Sequence, residues 1–151
     1  MHLKGKHQFK ASAGVLWEML MDPDTLSRVT PGISRLEETD TDTYDAIADV
    51  KMGPVRGTFK GQMEVRDKDP TSAFLLKVKQ DSRIGNVSAD VKIMLEEVGE
   101  DETEMSFEGD ARLSGLLART GNRVLSGVAN TLTKQFFQAM EDEIEARTTS
   151  A

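Results

Sequence analysis

The spacing of apolar residues shifts late in this chain from a mainly strand-like period to a sustained helical one, and that shift limits its fold more than any other feature. Up to about Arg112, outside two short helical runs between Ser12 and Val29, apolar residues recur at every second position in a series of short runs. From about Leu116 they recur at every third or fourth position. Period two marks strands with one buried face, and a period near 3.6 marks a helix with one buried stripe. Each part has an apolar surface that it cannot bury alone, so the helix stripe must pack on the sheet face.

In the first run, Leu3, Gly5, His7 and Phe9 alternate with Lys4, Lys6, Gln8 and Lys10. Ser12 caps a short helix whose apolar residues are Val15, Leu16, Trp17, Met19 and Leu20. Asp22-Pro23 opens a second short helix, Pro23 to Val29, and Thr30-Pro31-Gly32 ends it in a turn. Strands are predicted at Ile33 to Glu38, Tyr44 to Met52, Arg56 to Arg66, Ala73 to Gln80, Val87 to Glu97 and Glu102 to Arg112. Gly53-Pro54, Asp69-Pro70 and Gly99 supply turns between them. Long consecutive antiparallel strands coil, so the sheet is expected to curve, with Gly57 and Gly61 at bends or close approaches.

The last segment reads as one amphipathic helix from about Leu116. Its apolar residues run through Leu117, Val124, Leu125, Val128, Leu132, Phe136, Phe137, Met140 and Ile144. It should span roughly 30 residues, or about 45 Å. Glu141, Asp142, Glu143 and Glu145 oppose the helix dipole near its end, which predicts fraying there. The expected fold class is α+β. A curved antiparallel sheet of about seven strands wraps a long C-terminal helix, two short helices follow the first strand, and residues 1–151 form one domain.

Composition removes several classes of function. There are 19 Lys+Arg against 26 Asp+Glu, a formal charge of −7, which is unsuited to gripping a nucleic-acid backbone. No cysteine is present, and the two histidines, His2 and His7, lie near the start, with His2 read as a solvated terminus. A zinc cage, a thiol nucleophile or a Ser-His-Asp triad therefore lacks its parts, and no metal site is expected. No carboxylate pair, phosphate-binding glycine loop or nucleophile elbow is recognisable. The segment MHLKGKHQFK lacks the apolar run of a signal peptide, and no stretch approaches a membrane span, so a cytoplasmic protein is expected.

A curved sheet and a straight helix cannot meet everywhere, so a cavity is expected between them. Its predicted lining is Val50, Phe59, Met63, Leu76, Val91, Phe107, Leu117, Val124, Val128, Leu132 and Phe136. Periodicity places these residues on buried faces without separating a pocket from a filled core. An unfilled apolar void of about 300 Å³ would cost at most on the order of 7 kcal/mol at ~24 cal/mol per Å³, so such a site is collapsed, partly wet or occupied. His7 shares the face of Phe9 and could offer a hydrogen bond to a ligand's polar head, with a structural histidine as the alternative. Tyr44 could offer a hydroxyl, with ordinary packing as the alternative. Gly53, Pro54 and Arg56 form a candidate gating or partner-binding loop, although turn chemistry alone explains Gly53-Pro54. Lys51, Arg56 and Lys60 make that hairpin basic. Trp17 is expected to anchor the first helix.

Several motifs in order resemble the carbon monoxide dehydrogenase G-subunit family, within the START-related helix-grip proteins. They are Val15-Leu16-Trp17, Met21-Asp22-Pro23-Asp24-Thr25-Leu26 and Pro31-Gly32, followed by the hairpin Gly53-Pro54-Val55-Arg56-Gly57-Thr58-Phe59-Lys60-Gly61. Gly115-Leu116-Leu117-Ala118, Gly121-Asn122-Arg123 and Phe136-Phe137 continue the match, which covers essentially the whole chain. The resemblance implies a helix-grip fold around an apolar cavity and a non-enzymatic accessory role. It implies maturation or membrane recruitment of molybdenum-containing carbon monoxide dehydrogenases or related hydroxylases, with a quinone or lipid as the non-covalent ligand. Peripheral contact at the inner face of the membrane is part of that expectation. Members with a Pro/Ala-rich linker and anchor continue beyond the helix, whereas this chain stops at Ser150-Ala151, so no anchor is expected within it. The family's Gly-rich strand is reduced here to Ile84-Gly85-Asn86, so the cavity mouth on that side is expected to differ. Two other readings stand beside the carrier: a polyketide cyclase or aromatase-like enzyme acting through His7 and Tyr44, and an interaction module with a collapsed core.

Overall fold

A computed structural model describes residues 1–150, with side chains through Thr148. Ala151, on which the expectation about the chain's end partly falls, lies outside the described residues. The chain begins with strand β1 (His2–Phe9) and the short helices α1 (Ala13–Leu20) and α2 (Pro23–Val29). Six strands follow: β2 (Ile33–Asp40), β3 (Thr43–Met52), β4 (Val55–Asp69), β5 (Ala73–Ser82), β6 (Gly85–Gly99) and β7 (Glu102–Leu113). Helices α3 (Gly115–Arg119) and α4 (Asn122–Ser150) complete it.

The strands form one antiparallel sheet in the order β1-β7-β6-β5-β4-β3-β2. Sequential hairpins build most of it, and β1 closes the far edge by pairing with β7, His2 opposite Asp110 and Phe9 opposite Thr103. Register shifts between Arg66 and Asp69 in β4, and between Glu97 and Gly99 in β6, add local twist near one end of the sheet. Gly61 is a true close approach: a Cβ there would sit 1.8 Å from the Lys79 carbonyl oxygen. Gly5 makes room for the Phe107 ring, which would stand 2.6 Å from an added Cβ. At the β3–β4 turn, Gly53 has φ +55° and Pro54 follows, the positive-then-negative φ order of a type II′ hairpin turn.

The caps are those the sequence suggested. Ser12 accepts from the Val15 amide at 3.3 Å, and Asp22 accepts from the Asp24 amide at 3.3 Å and the Thr25 hydroxyl at 2.7 Å. The long helix differs from its expectation. It is broken at Gly121, whose φ of +100° no helix accommodates, so α3 forms a separate turn before α4. The expected weakness at the acidic end also differs, because α4 remains helical to Ser150. Two of its acids, Glu141 and Glu143, are held by side chains outside the helix, and Glu143 also by Arg147 within it. Arg28 of α2 clasps Glu143 through two bonds of 2.6 and 3.3 Å, Arg147 reaches Glu143 at 3.6 Å, and Glu141 bonds His7. His2 is likewise no loose terminus: it lies in β1, bonded to Glu108 at 2.9 Å and Asp110 at 3.1 Å, which raises its pKa above the usual histidine value.

Two apolar clusters divide the interior. The larger joins α1, α2 and the C-terminal half of α4 to the sheet through Phe9, Leu16, Met19, Val29, Tyr44, Phe74, Ile93, Met105, Phe137 and Met140. Trp17 packs edge-on against Phe74 at 5.8 Å and so ties α1 to β5. The smaller cluster, Val55, Phe59, Leu117 and Leu125, lies under α3 and the start of α4.

Candidate functional site

Sheet and helix part company beside the smaller cluster and leave a cavity of about 300 Å³. This is near the lower end of ordinary small-molecule sites. Its walls come from every layer of the fold. Ala46, Ala48 and Val50 come from β3, Phe59 and Met63 from β4, Val78 and Gln80 from β5, Val87 from β6 and Leu113 from β7. Leu117, Leu125, Val128, Ala129 and Leu132 come from the helices, and Thr30, Pro31 and Ile33 from the turn into β2. The strand residues lie there because alternation turns every second side chain inward, and the helical ones because Leu125, Val128, Ala129 and Leu132 share one stripe.

The structure brings together six of the predicted lining residues: Val50, Phe59, Met63, Leu117, Val128 and Leu132. Leu76, Val91, Phe107 and Phe136 are elsewhere, packed against the larger cluster where α4 meets the sheet. Val124 is 39% exposed on the outer side of α4. Tyr44 lies in the larger cluster at 3% exposure, and its phenol is pushed up to about 12, chiefly by burial and then by the Glu38 carboxylate. His7 stacks on Phe137 at 5.0 Å and bonds Glu141 of α4. Neither polar candidate faces the cavity. Periodicity identifies the inward face of a strand but not the level along it at which a helix lifts away.

Gly53, Pro54 and Arg56 form the exposed tip of the β3–β4 hairpin, where the Arg56 Nε donates to the Gly53 carbonyl at 3.1 Å. At the same end, α3 is riveted to the β5–β6 turn. The Leu117 amide donates to the Ile84 carbonyl at 2.7 Å, the Ser114 amide to the Asn86 carbonyl at 3.1 Å, and the Asn86 amide to the Ser114 hydroxyl at 3.1 Å. Gly85 and Gly115 meet here at φ +138° and +67°, and a Cβ on Gly115 would stand 3.1 Å from the Gly85 Cα. The short Ile84-Gly85-Asn86 segment is thus the seat of α3.

The sequence reading missed the feature of the cavity with most chemical content. Gln80 is 8% exposed, and neither its Oε1 nor its Nε2 has a hydrogen-bond partner among the described residues. A buried amide left unmatched costs about 1–3 kcal/mol. The signal was present, since Gln80 ends the inward series Phe74, Leu76, Val78 on β5. Among the lining residues only Thr30 and Gln80 have polar side chains, and the one charge is the Met1 ammonium, which donates to the Ala111 carbonyl at 2.7 Å. The cavity therefore has no acid–base pair, and no group of three or more potential metal ligands occurs among the described residues. A second hollow, on the outer face of β3–β5, is walled by charges of both signs, including Arg35, Asp45, Lys60 and Asp81, and does not offer an apolar enclosure.

Comparisons place these features among known proteins. The family model for the carbon monoxide dehydrogenase G-subunit (CoxG) matches residues 5–145. A crystal structure of a conserved protein from Geobacillus kaustophilus is similar, with TM-score 0.93 and 29% identity over 97% of this chain and 96% of that one. A START superfamily protein from Mycobacterium smegmatis has TM-score 0.74 at 12% identity, covering 96% of this chain and 97% of that one. The Zhui aromatase/cyclase from a Streptomyces species has TM-score 0.72 at 16% identity, covering 98% and 95%. The last two share the fold alone. A comparison with curated proteins finds no match.

Proposed function

Because the chain belongs to the carbon monoxide dehydrogenase G-subunit (CoxG) family, we propose that it is a non-enzymatic accessory protein holding an apolar small molecule between sheet and helix. The observation that carries this reading is the cavity itself: nearly all its lining is apolar, and it sits where α4 leaves the sheet. We take the ligand to be a quinone or lipid, and the protein served to be a molybdenum-containing carbon monoxide dehydrogenase or a related hydroxylase. The exposed end beside the cavity, with Leu116, Val124, Arg56, Arg119 and Arg123, is the surface assigned to that partner or to the inner face of the membrane.

The cyclase reading required His7 and Tyr44 at the cavity, and both lie in the other half of the interior. An interaction module with a collapsed core is disfavoured by a hollow of about 300 Å³. Native mass spectrometry of protein purified without detergent tests the carrier. A co-purifying apolar mass, extractable into organic solvent and replaced by added quinone, is the expected result. A bare polypeptide that takes up neither quinone nor lipid overturns it.

A further inference from the structure

Gln80 is the side chain in the cavity whose chemistry its neighbours leave unanswered. It stands on the inner face of β5, opposite Gly61 of β4 and Val87 of β6. Gly61 has no side chain to lie over the carboxamide, and Val87 offers it no polar atom. Both amide atoms are buried without a partner among the described residues. A carboxamide has two donor hydrogens and an acceptor oxygen, so an apolar wall is a poor place for one unless something there answers it.

We propose that Gln80 is the polar anchor of the cavity and selects a neutral ligand, one whose otherwise apolar body ends in a carbonyl or hydroxyl. The proposal rests on the reading of the cavity as a small-molecule site. The amide donates to a carbonyl and accepts from a hydroxyl, so it suits either end group. A carboxylate or phosphate is disfavoured. It would surrender its water for one neutral amide and the Thr30 hydroxyl, since no lining side chain is charged and the Met1 ammonium already donates to the Ala111 carbonyl at 2.7 Å. Apolar walls set how much of the ligand body is covered, and Gln80 sets which end group is accepted.

Three bicyclic probes of similar size separate these contributions: menadione, with carbonyls; 2-methylnaphthalene, with none; and 2-naphthoate, charged at pH 7. Calorimetric titration of the wild-type chain should find menadione bound at least about tenfold more tightly than 2-methylnaphthalene, with 2-naphthoate weakest. Gln80→Leu should erase the menadione advantage while leaving 2-methylnaphthalene bound as well as before or better. In the wild-type chain, the Gln80 side-chain amide resonances should shift with menadione and stay in place with 2-methylnaphthalene. That measurement decides the matter if Gln80→Leu does not fold. A menadione advantage that survives Gln80→Leu, amide resonances that ignore menadione, or a preference for 2-naphthoate each overturns the anchor. If neither neutral probe binds the wild-type chain, the small-molecule reading itself fails and the anchor falls with it.

Discussion

Tyr44 shows how much the level along a strand decides a side chain's role. It shares the inward face of β3 with Ala46, Ala48 and Val50, which line the cavity, yet it lies two residues too far toward α2 and is packed in the larger cluster. Its phenol is pushed up to about 12 by burial and by Glu38. The folded value lies above the unfolded one of about 10, so the stability this group supplies is intact below pH ~10 and is lost as pH rises toward 12. Tyr44 is the only tyrosine, so its absorbance near 295 nm reports it directly. Titration of the native chain should rise near pH 12, with unfolding setting in over the same range, and titration in denaturant near pH 10. A native midpoint at 10 would show a phenol open to water.

The elements divide by how local their causes are. The strands and α2 were legible in the sequence because alternation, Asp22-Pro23 and the turn residues act within a few positions. The breaking of the last helix was less so: Gly115, Gly121 and Gly127 look alike in sequence, but only Gly121 takes φ +100° within the run, while Gly115 sets α3 on Gly85. Six lining residues were legible through the pattern, whereas Leu76, Val91, Phe107 and Phe136 were misplaced because the pattern has no record of where α4 lifts off. Contacts between elements were not legible either, and the link from α2 to α4 is the clearest. Arg28 and Arg147 hold Glu143, and both also reach the Thr25 hydroxyl, at 3.4 and 3.0 Å. Arg28 pulls the Glu143 carboxyl below its ordinary value, so the stabilisation is complete above the unfolded carboxylate range and is lost as pH falls through the lower folded value. Glu143→Gln should cost about 1–2 kcal/mol in urea unfolding at pH 7 and much less at pH 3. An equal loss at both values would assign the effect to packing.

At the scale of the whole molecule, the hairpins sort charge as well as side chains. The β2–β3, β4–β5 and β6–β7 turns share one end, which carries Asp40, Asp42, Asp67, Asp69, Glu97, Glu100 and Asp101. The β3–β4 and β5–β6 turns and α3 share the other, with Lys51, Arg56, Arg83, Arg119 and Arg123 around exposed Leu116 and Val124. A net charge of −7 therefore conceals a basic, partly apolar end beside the cavity. If that end meets the membrane, vesicles rich in anionic lipid should sediment the protein at low salt and release it as ionic strength rises. The double variant Arg119→Glu, Arg123→Glu should stay in the supernatant. Retention of the wild-type chain in the supernatant at low salt would reserve this end for a protein partner.

The closing pair of the sheet also bears on how the chain is made. β1 leaves the ribosome before the other strands, but its only partner in the sheet is β7, and bonded His2 and Asp110 lie 108 positions apart. Through most of translation the first strand waits with both edges unpaired, a state prone to wrong pairing. The cavity completes later still, since Leu125 to Leu132 emerge after β7. A nascent chain that has made β7 but not α4 thus has the sheet face of the cavity without its helical wall.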